Sequence, residues 1–287
     1  MRLHQVIKQY LERVQPSAAL QIEKALATFT TAPERAGFFR LIALAPRWTG
    51  RQPAAMTAEE KAALGALHYN LATGAWDDDQ LARLWILEVV QALWQPAQFS
   101  RELDALFDTG DTRELVALYR SLALLREPER FIARAREGAR SNMIPVFLAV
   151  AHHNSYPAEH FDEDGWNQMV LKAVFNACAL DPIARLDDRN NPALSHMLSD
   201  YVRERWAARR DVPWDIWRCI GPCAGRSDDL ALVGTALSST DQRTRLAARL
   251  ALKSSRSAAA AELLQNHQEE LTVTGDKITW QSLAALD

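Results

Sequence analysis

The sequence has little of what catalytic and secreted proteins usually carry. Three cysteines, Cys178, Cys219 and Cys223, occur in 287 residues. An odd, sparse set without a signal peptide excludes a disulfide scaffold. Cys219 and Cys223 stand in C-I-G-P-C, one residue wider than the usual zinc or redox spacing, so structural thiols are expected. Glycine numbers 11, and none of it builds a phosphate-cradling loop or a dinucleotide fingerprint. There is no G-x-S-x-G elbow, no H-E-x-x-H pair and no E-x-x-H helix motif. The net charge is -3 with both signs interleaved, so no basic stripe offers itself to a phosphate backbone and no nucleic-acid partner is expected. The longest fully apolar run, Val146 to Ala151, is far short of the ~20 residues of a membrane-spanning helix. The first residues, MRLHQVIKQYLERVQP, are amphipathic and place Lys8, Glu12 and Arg13 where a signal peptide needs apolar chain. The chain is therefore expected in the cytoplasm, with no cofactor or metal of its own.

What is there is helix. Thr57 and Glu60, and again Asp111 and Glu114, have capping-box spacing, in which each side chain satisfies the other residue's free backbone N–H. Asp77 or Asp78 caps a helix through Leu81, Leu84, Trp85 and Val89, and Asp162 or Asp164 caps one from about Gly165 to Ala179. Asn191 followed by Pro192 is a cap with proline at the first helical position. A helix that begins near Pro33 is expected to stop before Pro46. In the helix after Asp162, Trp166, Met169, Val170, Ala173, Val174 and Ala177 form one apolar stripe, and Leu171 and Phe175 make a second face apolar, which predicts a central, buried helix. Residues 227–254 read as two short helices with a Thr240/Asp241 cap between them and small alanines at their contact, the pattern of a HEAT-type hairpin. Residues 271–280 (LTVTGDKITW) alternate around Gly275-Asp276 and fit a small C-terminal β-hairpin. The fold class expected is all-α, with helical hairpins stacked into a HEAT-like, solenoid-like array over a single domain, 1–287, whose halves 1–140 and 141–287 pack together.

Four constellations carry chemistry. AHHNSYPAEHFDEDGWNQ, residues 151–168, gathers His152, His153 and His160 with Glu159, Asp162 and Asp164. A loop can bring such ligands to one ion, but adjacent histidines diverge on a helix, and a helix end followed by an acidic cap explains the same run. Asn167, Gln168 and Lys172 are polar residues in a helix that otherwise reads as buried. They tie neighbouring helix ends together or face a ligand. Arg185–Asn191 (RLDDRNN) precedes Tyr201, Arg205, Trp206, Arg209 and Arg210. Arginine forks recognise carboxylate or phosphate, and Asp187 and Asp188 could equally satisfy them internally. Nine tryptophans complete the set, as core or as the lining of an apolar groove.

The run YPAEHFDEDGWNQMVLKAVF (Tyr156 to Phe175), then Pro182-Ile183, then LDDRNNPALSHMLSDYVRERWAARRDVPWDIWRCIGP (Leu186 to Pro222), resembles the EboA family. The resemblance rests on the WNQMVLKA core, the D-x-R-x-N-P-x-L loop and the DY-x-x-ERWAA helix, and covers about the second half of the chain. It implies a bacterial helical protein of secondary-metabolite traffic, encoded beside a UbiA-like prenyltransferase and TIM-barrel-type proteins. The family has no assigned reaction, so the resemblance transfers no catalytic residue. The positions matching its motifs are His160, Trp166, Asn167, Gln168, Lys172, Arg189, Asn190, Tyr201, Arg205 and Trp206, and they form the candidate ligand-binding set.

The expectation is a non-enzymatic binding or adaptor module. It takes a small apolar or prenylated metabolite or docks cluster-encoded partners. The alternative is a metal-dependent or acid–base enzyme working through His152, His153 and His160.

Overall fold

The computed structural model describes residues 2–224, 227–267 and 278–285. Eighteen α-helices follow one another among these residues, and the only β-pairing is an isolated bridge between Pro53 and Asp77. The chain is an all-α helical array, as expected. Its contacts divide it into two compact units, Met1–Phe161 and Asp162–Asp287.

The first unit is built around α6 (Asp78–Leu93), which packs against α1 (Leu3–Val14), α2 (Pro16–Thr31), α3 (Arg35–Thr49), α7 (Pro96–Thr109) and α8 (Thr112–Ser121). Burial of Leu81, Ala82, Leu84, Trp85, Ile86 and Leu87 covers it all round, the mark of a central helix. Its N-terminus is polar and equally buried. Tyr10 of α1 donates to Asp78 at 2.5 Å and accepts from the Ala55 N–H at 2.9 Å. Asp79, fully buried, pairs with Arg83 and with Arg113 of α8. Around this core lie α4 (Ala58–Gly65), α5 (Tyr69–Thr73), α9 (Ile132–Arg140), α10 (Ile144–Ala151) and α11 (Tyr156–His160).

Helix α3 corrects one expectation. It runs through Pro46 rather than stopping before it. A proline has no N–H for the carbonyl four residues back, here that of Ile42. That carbonyl instead accepts from Arg83 Nε at 3.2 Å, a donor supplied by α6. Arg83 is 1% exposed, so one buried guanidinium repairs the gap in α3 and neutralises Asp79.

In the second unit, α12 (Glu163–Phe175) packs on α13 (Pro192–Ala207), and α13 packs on α14 (Trp217–Ile220) and α15 (Ser227–Leu237). α16 (Gln242–Ser254) is the hub, with α14, α15, α17 (Ala258–Gln265) and α18 (Trp280–Ala284) against it. The close approach rests on small residues. Ala247, Ala248 and Ala251 are buried, and a Cβ added to Gly221 would stand 2.4 Å from the Ala251 Cβ. The predicted caps are in place: Asp162 accepts from Gly165 at 2.9 Å, Asn191 from Leu194 at 2.9 Å and Asp241 from Thr244 at 2.8 Å.

Two further expectations change. α12 ends at Phe175, where Ala177 turns left-handed (φ 52°) and the Cys178 N–H returns to the Ala173 carbonyl at 2.9 Å. Its second face is open, with Phe175 61% exposed, so the helix is buried on one side only. The expected C-terminal hairpin falls mostly on residues 271–277, outside the described residues. Trp280, placed in its second strand, instead opens α18 behind a Thr279 cap.

Candidate functional site

His160 lies in the first unit and the other nine candidate residues in the second. The His160 ring rests on Tyr156 at 4.5 Å between centroids, and its Nε2 is 3.9 Å from Glu159. His152 and His153 diverge around a left-handed His153 (φ 52°), with ring centroids 6.4 Å apart. Among the described residues no group of three or more His, Cys, Asp or Glu side chains is arranged to hold a metal ion.

The second-unit residues fall into three groups. The first is a polar tie. Asn167 and Asn191 exchange reciprocal amide hydrogen bonds, at 3.2 Å from Asn167 Nδ2 and 2.8 Å from Asn191 Nδ2. Asn191 Nδ2 also donates to the Arg189 carbonyl at 3.1 Å. Arg189 lays its guanidinium 4.9 Å from the centroid of the buried Trp166 ring. Asn190 donates to the Arg218 carbonyl at 3.0 Å, and Arg218 grips Asp187 with two bonds, at 2.7 and 2.9 Å, and Asp181 at 2.8 Å. Asp188 pairs with Arg185 at 3.1 Å. These side chains fasten the loop between α12 and α13 to both helices and to α14.

The second group lies along the open side of α12. Phe175 meets Tyr201 edge-on at 4.9 Å, and Arg205 stands 5.9 Å from the Tyr201 centroid. Gln168 is exposed. Lys172 is half-buried, and desolvation lowers its pKa. Arg205 is occupied in holding the chain after α13, donating from Nε to the Asp211 carbonyl at 2.9 Å.

The third group is a cleft of about 660 Å³. Trp206 at the end of α13 and Trp217 at the start of α14 line it, their rings 5.9 Å apart and tilted by 40°. Helix α13 closes with Arg209 left-handed (φ 54°) and the Arg210 N–H bonded to the Arg205 carbonyl at 2.8 Å. This turn brings Arg209, Arg210 and Asp211 into the lining. The far wall comes from the α15–α16 connection, with Thr235, Ser238, Thr240 and Thr244 among its residues. Asp241 lines it too. Burial opposes its ionisation, but hydrogen bonds from Thr244 and from the Arg243 and Thr244 N–H groups outweigh that and hold the carboxyl below its usual range.

Of the ten candidate residues only Trp206 lines this cleft. Arg209 and Arg210 were marked by their arginine-rich run, and Trp217 only as one tryptophan among nine. The wall at 235–244 left no sign in the sequence, because nothing local says that this connection returns to Trp206. The tryptophans do not share one groove: Trp76, Trp85, Trp94 and Trp166 are core, and Trp280 stacks on Trp214 at 6.5 Å.

A family model described as metabolite traffic protein EboA matches residues 3–221. The chain belongs to the EboA family. No curated protein and no solved structure matches it. The EboA match contains the polar tie and the near side of the cleft, from Trp206 to Trp217, and stops before the wall at 235–244. Among the described residues, no helix is long and apolar enough to cross a membrane.

Proposed function

We propose that this EboA-family chain is a non-catalytic binding module of metabolite traffic, and that the metabolite seats in the cleft beside Trp206. The carrying observation is the tilted Trp206–Trp217 pair in a cleft of about 660 Å³. Small-molecule sites are clefts of roughly 300–1,000 Å³ built on aromatic walls with a few polar groups. Flat or apolar metabolites, prenylated ones included, suit the indole faces. Among the described residues the lining has no histidine, cysteine or lysine, and Asp241 is engaged as a helix cap and held ionised, which makes it a poor proton shuttle. The polar residues first singled out, Asn167, Arg189 and Asn190, support the site by fixing the loop that leads into α13.

The family match runs from the first compact unit into the second, as far as residue 221, which supports reading the two as parts of one domain, 1–287, and the packing of α15 on α16 supports a HEAT-type hairpin beyond it. Hand-over to proteins encoded beside it, a UbiA-like prenyltransferase at the inner membrane among them, belongs to the same reading. The test is thermal melting in the small-molecule fraction of the source cells. The wild-type chain melts higher in that fraction than in buffer, and the Trp206→Ala variant shows no such rise. Equal rises in both would remove the ligand from this cleft, and no rise in either would leave the proposal without support.

A further inference from the structure

The cleft is not merely apolar. Arg209 and Arg210 are exposed at its edge, and neither guanidinium has a hydrogen-bond or ion-pair partner among the described residues. Two guanidinium groups face one uncommitted carboxylate, Asp211, because Asp241 is consumed by the N–H groups and hydroxyl at the start of α16. The hydroxyls of Ser238 and Thr240, on the opposite wall, are likewise uncommitted. Trp217 is 1% exposed, and its buried indole N–H meets no acceptor among the described residues.

Resting on the binding reading above, we propose that the ligand is a planar apolar molecule bearing an anionic oxygen group, a carboxylate or a phosphate. Its flat part lies against Trp206, the part-exposed ring of the pair, and its anion is read by the Arg209 and Arg210 forks with the hydroxyl wall behind. Because that wall lies past residue 221, the segment beyond the family match takes part in choosing the ligand.

Two dyes that differ by one anionic group separate the parts of this proposal on the full chain. 1-Anilinonaphthalene-8-sulfonate carries the anion, and N-phenyl-1-naphthylamine is the same ring system without it. Fluorescence titration is expected to give a Kd about ten-fold lower for the sulfonate, the equivalent of about 1.4 kcal/mol. The exposed double variant Arg209→Ala/Arg210→Ala, checked for native circular dichroism, is expected to erase that difference and leave the neutral dye unchanged. Displacement of the sulfonate by 1-naphthoate or by 1-naphthyl phosphate then tells carboxylate from phosphate. Equal Kd values for both dyes, unmoved by the double variant, would overturn the anion and leave the binding module standing, provided Trp206→Ala still releases both. Failure of both planar anions to displace the sulfonate would also overturn it. Binding of both dyes unaffected by Trp206→Ala would remove the cleft itself.

Discussion

Arg83 shows how much one residue can hold. It sits in α6, 37 positions from Pro46 in the chain, and donates to the carbonyl that Pro46 leaves without a partner while pairing with Asp79. Removing one member of a buried ion pair costs about 3–5 kcal/mol when the other charge is stranded. Here Arg113 still reaches Asp79 at 2.6 Å. Arg83→Met is therefore expected to destabilise by about 3 kcal/mol, the low end of that range, in urea unfolding. Adding Pro46→Ala, which returns an N–H to the Ile42 carbonyl, is expected to recover part of the loss. Strict additivity of the two changes would break the link drawn between them.

At the same scale, Arg13 holds Glu60 through a two-bond fork, at 2.7 and 2.6 Å. This fork, more than the Thr57 cap, keeps the Glu60 carboxyl below the usual glutamate range. A lowered folded-state pKa contributes stability that is present above the unfolded value and lost as pH falls through the folded one. The wild-type advantage over Glu60→Gln in urea midpoint is thus expected at neutral pH and should shrink toward zero in acid. An advantage independent of pH would contradict the assignment.

Elements differ in how far the sequence announces them. Thr57, Asp111, Asp162, Asn191 and Asp241 all accept an N–H of the first turn, Asp162 being taken over Asp164, and Asp77 rather than Asp78 holds the cap position of α6, because capping is settled within four residues. Pro46 misled because its repair comes from another helix. The second face of α12 misled because periodicity shows that Phe175 is apolar, not whether a neighbour covers it. Trp206 and the arginines after it were legible as a candidate, whereas their opposite wall, set by tertiary packing, was not.

The packing of α16 is testable at Gly221, which lets α14 and the turn after it approach that helix. Gly221→Ala places a methyl group 2.4 Å from the Ala251 Cβ and 2.9 Å from its backbone carbon. Overpacking of this kind costs about 1–3 kcal/mol. The expected result is a loss of that size in chemical unfolding, partly relieved by Ala251→Gly, which removes the nearer of the two clashes. No loss, or no relief, would argue against the packing.

For the whole molecule, the family match covers the first compact unit and part of the second and ends before the far side of the cleft. The fold supplies helices that fix Trp206 and Trp217 at 5.9 Å. It supplies no cluster of three or more His, Cys, Asp or Glu side chains able to hold a metal among the described residues. The proposed binding role rests on that tryptophan pair. The most direct measurement is native mass spectrometry of the chain purified from its own cells, wild type beside Trp206→Ala. A single small molecule retained by the wild type and absent from the variant is the predicted result. A molecule carried equally by both, or a stoichiometric metal in place of one, would contradict the account.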